Sequence, residues 1–198
     1  MIAPGDARVG GGGLRRSAMA GLAGIALAIA GCSGDAASQG SGAVATSNQT
    51  LATVFANSDR FRTTAGALNE TGLAGAFDGP GTYTLLAPDD AAFAALGAPG
   101  QQLMAPDQRA VLVALLRNHV IPGQLDLASV REAIEQQHGA VEMRTLGGGT
   151  VSFALEGESL VVSGHGNRAT IDPGGQVIAS NGTLIPIDAV LAQPPAAQ

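Results

Sequence analysis

The apolar positions at the start of the core-forming part of the chain recur at helical spacing. They run from Leu51 to Leu68, with a polar interruption at Asn57–Ser58. This pattern predicts two helices, one on either side of the interruption. Ser58 or Asp59 is expected to be the N-cap of the second helix, because short polar side chains accept hydrogen bonds from the open amides of a first turn.

The stretch TYTLLAPDDAAFAAL combines a strand pattern with a helix start. Thr82 to Ala87 is rich in β-forming residues, and Pro88 is expected to end the strand because it lacks an N–H. Asp89 then stands where the N-cap of a short helix belongs, and Phe93 lies on the side of that helix expected to be buried. The paired aspartates could instead indicate a metal or acid–base site. No third ligand lies nearby in the sequence, so we interpret Asp89 as a cap.

Two further helices are predicted in the middle of the chain. The first, in APDQRAVLVALLRNHVIPG, begins at Pro106 or Asp107 and places its leucines and His119 on one face. The second, in DLASVREAIEQQHG, begins after the capping residue Asp126. It is expected to end at Gly139, because glycine readily adopts the left-handed conformation that ends many helices.

From Val141 onward the hydrophobic pattern changes to a period of two. Short segments of alternating apolar and polar residues are joined by glycine-rich turns such as LGGGT. LGGGT lacks the lysine of a phosphate-binding loop, so we interpret it as a hairpin turn. Helices followed by strands predict an α+β domain.

An apolar segment near the N-terminus has the features of an export signal. In LRRSAMAGLAGIALAIAGC, two arginines precede an apolar run too short to span a bilayer comfortably, and small residues precede Cys32. Residues 1–31 are therefore interpreted as a signal peptide. A buried amphipathic helix is the alternative, but the run has no polar face.

IAGC resembles the lipobox of bacterial lipoproteins, which implies that Cys32 is lipidated and becomes the mature N-terminus. Ser33, where an aspartate would imply retention in the inner membrane, favours the outer membrane.

The segment that follows the cysteine is small and polar. Residues 32–48 contain almost no apolar side chain that could anchor them to a core, so they are predicted to form a flexible tether. The globular domain is expected over residues 49–194, and residues 195–198 form a short tail.

The composition limits the chemistry of this domain. The chain has 198 residues and a single cysteine, which excludes an intramolecular disulfide and the common thiolate zinc sites. All ten basic residues are arginines, and removal of residues 1–31 leaves seven of them against fifteen acidic residues. A formal charge of −8 argues against nucleic acid as a partner, because phosphate binding needs clustered positive charge.

The three histidines are the other candidates for chemistry. His119 is interpreted as a buried histidine that hydrogen-bonds across the core. The alternative, a general base or a ligand, requires a carboxylate partner and a cleft. His138 is expected to complement the negative end of a helix, and His165 to lie exposed in a turn. The sequence contains no nucleophile elbow and no pair of histidines at helical metal-site spacing. We therefore expect no enzymatic activity, no cofactor and no metal site.

Three segments in a fixed order resemble the fasciclin domain: YTLLAPDDAAF, RNHVIPG and VIASNGTLIPIDAVL. The resemblance covers residues 49–194 and implies an α+β fold with a β-sandwich-like core flanked by helices, found in surface proteins that mediate adhesion. The family-motif positions, expected to hold the fold, are Tyr83, Thr84, Pro88, Asp89, Phe93, His119, Val120, Pro122, Gly123, Asn181, Gly182 and Asp188. Two positions depart from the family pattern. Pro186 stands where a histidine is frequent, and Asn118 where an aromatic residue commonly precedes the middle histidine.

These observations predict a lipid-anchored envelope protein whose fasciclin domain binds an unidentified protein or polysaccharide. The membrane would be contacted through the lipid on Cys32, with the domain on the periplasmic or outer side. Two alternatives remain open at the level of sequence. One is a small-ligand or enzymatic pocket near His119, and the other is a structural envelope protein without a specific ligand.

Overall fold

The computed structural model describes residues 44–191. The predicted signal peptide of residues 1–31, Cys32, most of the predicted tether and the predicted tail of residues 195–198 lie outside the described residues. The helices are α1 (Leu51–Ala56), α2 (Arg62–Thr71), α3 (Asp90–Ala95), α4 (Ala98–Leu103), α5 (Arg109–Asn118) and α6 (Leu127–Gln137). The strands are β1 (Ala45–Thr46), β2 (Tyr83–Pro88), β3 (Val120–Pro122), β4 (Val141–Arg144), β5 (Thr150–Glu156), β6 (Ser159–Gly164), β7 (Asn167–Thr170), β8 (Val177–Ala179) and β9 (Gly182–Ile187). Short 3-10 helices occupy Leu73–Asp78, Pro106–Gln108 and Pro173–Gly175.

The strands form two sheets, and one of the two hydrophobic cores lies between them. The first sheet has the order β1-β8-β9-β2-β3, and the second has the order β4-β5-β6-β7. In the first sheet β2 pairs in parallel with β9, its neighbour in space but not in sequence. The second sheet is a consecutive antiparallel meander. The architecture confirms the predicted α+β fold with a sandwich-like core.

The first sheet is buried on both faces, and its strands divide their side chains between two cores. Because successive side chains of a strand point to opposite faces, Leu85 packs against helices α1 to α5, whereas Leu86 packs against the second sheet and α6. The same alternation separates Leu184 from Ile185 in β9. The near-continuous apolar runs of β2 and β9 are the pattern expected for such doubly covered strands.

The start of α2 differs from the sequence prediction. Neither Ser58 nor Asp59 caps this helix, which begins at Arg62 after Phe61 and has no side-chain cap from its own loop. Asp59 instead pairs with Arg62 at 2.5 Å. The amide of Thr63 donates to Asp90 Oδ1 at 2.8 Å. The capping carboxylate therefore comes from α3, because tertiary packing brings the start of α3 against the first turn of α2.

The end of α6 also differs from the sequence prediction, by one residue. The C-cap is His138, which has a φ of 52°, and not Gly139. The amide of Gly139 donates to the carbonyl of Ile134 at 3.2 Å and closes the last turn. His138 thus adopts the left-handed conformation predicted for glycine, and its Nδ1 lies 3.2 Å from the carbonyl oxygen of Gln136.

The segment predicted as a tether contributes a strand at its end. Ala45–Thr46 pairs in parallel with Val177 and Ile178 of β8. The amide of Ser47 donates to the carbonyl of Ile178 at 2.7 Å. These residues form the outer edge of the first sheet through backbone hydrogen bonds. The pattern of hydrophobic residues cannot predict such contacts, because they do not depend on the side chains.

Pro186 lies within β9, in the interior of a sheet, where proline is unusual because it cannot donate a ladder hydrogen bond. On the side of β9 that Pro186 faces, β8 has already ended, since its register begins at Val177 opposite Leu184, and only the isolated bridge between Ile171 and Ile187 lies there. The carbonyl of Pro186 accepts from the amide of Asp172 at 3.1 Å. The fold therefore accommodates proline here without loss of a strand hydrogen bond.

Candidate functional site

The family-motif residue His119 lies in the core at the end of α5 and is 1% exposed. Its Nδ1 lies 2.8 Å from the carbonyl oxygen of Leu115, and its Nε2 accepts from the amide of Leu191 at 2.9 Å. Because the amide of Leu191 can only donate, Nε2 carries no proton and Nδ1–H is the donor to Leu115. Burial lowers the pKa of His119 to about 4, so the ring is neutral at pH 7.

This environment agrees with the interpretation of His119 as a buried histidine that hydrogen-bonds across the core. Both ring nitrogens are bonded to backbone groups, and no carboxylate is among their partners. The main-chain carbonyl of His119 also accepts from the amide of Leu86 in β2 at 2.8 Å. His119 therefore joins α5, β2 and the last described residue of the chain, and its ring has no free nitrogen for proton transfer.

Asn181 is the second residue of the tight turn Ser180–Asn181 between β8 and β9, and Gly182 is the first residue of β9. Asn181 Oδ1 accepts from the amide of Leu51 at 2.8 Å, and its Nδ2 donates to the carbonyls of Phe77 and Gly79. Gly182 lies directly beside Tyr83 in the parallel ladder. These two residues hold the start of α1 and the 3-10 helix Leu73–Asp78 against the first sheet.

Thr84 and Gly123 attach β3 and the following loop to β2. Thr84 is fully buried, and its hydroxyl donates to the carbonyl of Gly123 and accepts from the amide of Leu125, both at 2.8 Å. Gly123 has a φ of 94°. Val120 is buried in β3, whereas Pro122, at the end of that strand, is exposed. The RNHVIPG motif thus forms an antiparallel strand on β2 and the turn that leaves it.

The PDD part of the first motif joins β2 to α3. The carbonyl of Pro88 accepts from the buried hydroxyl of Thr64 at 2.7 Å. Asp89 Oδ1 accepts from the amide of Ala92 at 2.8 Å, which confirms the predicted N-cap. Phe93 is buried in the helical core. Pro88 completes β2, one residue beyond the predicted end of this strand.

Arg60 draws three separate segments together beside Asp89. Its guanidinium donates to Asp172 at 2.6 Å and to Asp89 at 3.4 Å. The hydrogen bond from Arg60 lowers the pKa of Asp172, and Asp172 in turn raises the pKa of Arg60. All three side chains are partly exposed, so this cluster contributes modestly to stability. Sequence reasoning missed it because Arg60 and Asp172 are far apart in the chain.

The remaining motif residue, Asp188, binds the end of β7. Its carboxylate accepts from the amide of Thr170 at 2.6 Å, and its own amide donates to the carbonyl of Thr170 at 3.2 Å. Asp188 is exposed, but its hydrogen bonds are to backbone groups of the second sheet. This exchange ties the end of β9 to the edge of that sheet.

Loss of the Asp89 cap is expected to weaken the domain measurably. Asp89→Ala removes the acceptor of the Ala92 amide and should lower the free energy of unfolding by about 1 kcal/mol. Urea unfolding followed by circular dichroism measures this change. Asp89→Asn is the matched control, because it keeps the cap and loses the charge facing Arg60. An equal loss in both variants would show that the ion pair and not the cap is the stabilising contact.

Two clefts lie on either side of α2 in the described part of the chain. The first has a volume of about 320 Å³ and is bounded by α1, α2 and the 3-10 helix Leu73–Asp78. The second, of about 280 Å³, is bounded by Glu70, Met104, Ala105, Pro106, Arg109 and Leu112. Neither is lined by any of the twelve motif residues. The polar motif residues make their contacts within the fold, whereas the clefts are lined by residues outside the motifs.

Two further features concern residues 44–191 as a whole. Within this range no group of three or more His, Cys, Asp or Glu side chains is arranged to hold a metal ion. Across the same range, no helix combines the length and apolar character needed to cross a membrane. His165 lies exposed in the turn between β6 and β7, as the sequence predicts.

The chain is similar in sequence and in fold to fasciclin-domain proteins. The Fasciclin domain family model matches residues 59–194. The chain is 32% identical over 149 residues to Protein sll1483 of Synechocystis sp., covering 75% of this chain and 76% of that protein. It is also 32% identical over 133 residues to the transforming growth factor-beta-induced protein ig-h3 of Sus scrofa, covering 67% of this chain but 18% of the porcine protein. A pair of FAS1 domains from the insect cell adhesion molecule Fasciclin I superimposes with a TM-score of 0.55 and 23% identity, over 69% of this chain and 46% of that one. The chain therefore belongs to the fasciclin domain family.

Proposed function

We propose that this protein is an exported, lipid-anchored binding module that attaches the envelope of its cell to an external protein or polysaccharide. The observation that carries the proposal is the fasciclin domain over residues 59–194, since a structure with the same fold comes from an insect cell adhesion molecule. The IAGC motif before Cys32 and the small polar segment after it supply an anchor and a tether in the sequence. Two or more acyl chains hold a protein on a membrane stably, whereas one does not.

The arrangement of the domain supports a binding role. The motif residues point their polar groups at backbone partners inside the fold, as His119 and Asn181 do. The polar surface and the clefts around α2 are thus left for contact with other molecules. The described residues contain fourteen acidic side chains and seven arginines, so this surface favours neutral or cationic partners over anionic ones.

The anchor can be tested by a single substitution. Cys32→Ala should give a protein without acyl mass that no longer sediments with membranes, whereas the wild-type mature chain should begin at Cys32 and carry the lipid. Intact mass spectrometry and membrane fractionation measure both properties. Ser33→Ala is the matched control and should be lipidated normally. A wild-type mature chain that begins elsewhere and has no acyl mass would refute the anchor.

The adhesive role is tested in cells that lack the gene. Attachment of these cells to a surface coated with matrix polysaccharide or protein should be reduced, restored by the wild-type gene and not restored by Cys32→Ala. Unchanged attachment of the deletion cells would contradict the proposal. If that deletion also altered membrane integrity, the protein would be a structural component of the envelope.

A further inference from the structure

The cleft between α1, α2 and the 3-10 helix Leu73–Asp78, here called the α1–α2 cleft, has a closed apolar floor. Phe55, Leu68 and Phe77 form this floor, and each is at most 3% exposed. The walls are alanines of all three elements, which leave a volume of about 320 Å³ unfilled. A cleft of this size lies at the lower end of the range for small-molecule sites.

The floor is held rigidly in place. Phe55 packs edge-to-face on Phe61, and Phe77 packs edge-to-face on Tyr83, both with ring centroids 5.7 Å apart. Asn181 joins the start of α1 to the carbonyl of Phe77 through hydrogen bonds of its side-chain amide. A preformed cleft loses little conformational freedom when it is occupied, which favours binding of a small molecule.

The rim of the α1–α2 cleft presents hydrogen-bond acceptors. The hydroxyl of Thr50 donates to Asp78 Oδ1 at 3.1 Å, because a carboxylate can only accept. Thr50 Oγ1 lies 3.0 Å from Thr53 Oγ1, so the hydroxyl proton of Thr53 must point to Thr50. This direction leaves the lone pairs of Thr53 and the second oxygen of Asp78 as acceptors at the mouth of the cleft.

The charges at the rim of the α1–α2 cleft determine which class of ligand it favours. Among residues 44–191, Asp78 is the one ionisable residue that lines this cleft. The two arginines that follow α1 are engaged elsewhere: Arg60 binds Asp89 and Asp172, and Arg62 binds Asp59. A group with several N–H donors and a positive charge matches these acceptors, and an anion does not.

We propose that the α1–α2 cleft binds a small organic amine that carries a flat apolar group. The apolar group packs between the partly exposed alanines of the walls, above the buried rings of Phe55 and Phe77, and the ammonium group donates to Asp78 and Thr53. This inference goes beyond the adhesive role and does not depend on it, since a domain that fails to mediate attachment can still bind the amine.

The second cleft beside α2 provides an internal comparison. Its rim carries both Glu70 and Arg109, and its floor contains Met104 and Leu112. With a cation and an anion at the same rim, it has no net preference for an amine. Glu70→Gln therefore serves as a control that removes one acidic charge near the α1–α2 cleft without changing it.

The test uses 2-phenylethylamine as the probe and the full chain as the protein. Backbone amide chemical shifts are followed by NMR during titration with this amine and with its neutral analogue, 2-phenylethanol. The amine should produce saturable shifts in α1, α2 and the 3-10 helix Leu73–Asp78, with a dissociation constant of about 0.1 to 1 mM. The alcohol should bind several times more weakly.

Two substitutions separate the charge from the shape of the cleft. Asp78→Asn keeps the acceptor for Thr50 and should weaken binding of the amine about threefold to tenfold, because an exposed ion pair contributes modestly. Ala65→Leu places a larger side chain in the wall and should abolish the saturable shifts. Glu70→Gln should leave the affinity unchanged.

The proposal is overturned if 2-phenylethylamine causes no saturable shifts, or if the shifts lie outside the α1–α2 cleft. It is also overturned if Asp78→Asn binds the amine as tightly as the wild type. A thermal melt establishes that each variant is folded. If Ala65→Leu does not fold, Asp78→Asn decides the question alone, because its side chain has the same shape as that of aspartate.

Discussion

Gly182→Ala is expected to lower the free energy of unfolding by about 4 kcal/mol or more and to prevent accumulation of folded protein at 37 °C. A β-carbon at this position would lie 2.0 Å from the carbonyl oxygen of Tyr83 and 2.6 Å from the Cδ1 atom of Leu51. The backbone of Gly182 cannot retreat, because it is paired in register with Tyr83 at the start of the β2–β9 ladder. Relief of the clash therefore requires separation of the two central strands of the first sheet.

Urea unfolding and soluble yield measure the effect of Gly182→Ala. Gly75→Ala is the control, since a β-carbon at Gly75 has open space around it, and its stability should differ little from that of the wild type. A Gly182→Ala protein that unfolds at the wild-type urea concentration would show that β2 and β9 tolerate a wider separation than the structure has.

His119→Ala is the second substitution with a large expected effect, about 3 to 5 kcal/mol of unfolding free energy. It deprives the amide of Leu191 and the carbonyl of Leu115 of their partner inside the core. It also leaves a cavity where a side chain with 1% exposure was packed. The end of α5 and the last described residue should lose their connection first.

Hydrogen exchange and urea unfolding measure the change in His119→Ala. The amide of Leu191 should lose its protection against exchange by a larger factor than amides of the second sheet. His165→Asn is the control, because His165 is exposed and has a φ of 53°, which asparagine tolerates. Equal protection of Leu191 in wild type and His119→Ala would contradict the role assigned to His119.

The buried His119 ring also makes stability depend on pH in the mildly acidic range. Its pKa is lowered from 6.5 to about 4, mainly by burial. The unfolded chain therefore takes up a proton below about pH 6.5, whereas the folded chain does so only near pH 4. Stability is accordingly full above pH 6.5 and falls as the pH decreases, by about 2 kcal/mol between pH 7 and pH 5.

Unfolding midpoints in urea at half-unit steps from pH 7 to pH 5 test this dependence. The lowered pKa of Asp172 acts in the same direction but below its ordinary value of 3.8, outside the range measured. His119→Gln should show a much smaller slope, and His138→Asn, at an exposed histidine with a φ of 52°, should keep the wild-type slope. A slope that survives in His119→Gln would assign the effect to other groups.

Local features of the structure could be predicted from the sequence because they depend on interactions among a few neighbouring residues. The run TYTLLAPDD predicts a strand, its end and the N-cap Asp89, and the structure has all three within one residue. The helix that leads to His119 is present, but it begins at Arg109 after a 3-10 turn over Pro106–Gln108 and not at Pro106 or Asp107, and His119 is its C-cap. The hairpins after Val141 appear as predicted. In each case the period of the apolar residues, or one capping side chain, is sufficient to select the local conformation.

Contacts between distant segments could not be predicted from the sequence in the same way. The cap of α2 comes from Asp90, and the partner of His119 Nε2 is Leu191, 72 residues away. Ala45–Thr46 joins β8 through backbone hydrogen bonds alone. Such partners depend on which segments the folded topology brings together, and hydrophobic period carries no information about that choice.

By itself, the sequence determined the α+β class, the family and the positions that carry its motifs, since periodicity, capping residues and motif order are properties of the chain. Only the tertiary structure decided that Thr84, His119 and Asn181 hydrogen-bond to backbone groups inside the fold. It also decided that His119 is neutral and enclosed, and that a cleft with an acidic rim lies between α1 and α2. These properties arise from burial and from distances across the fold, which exist only once remote segments have packed together.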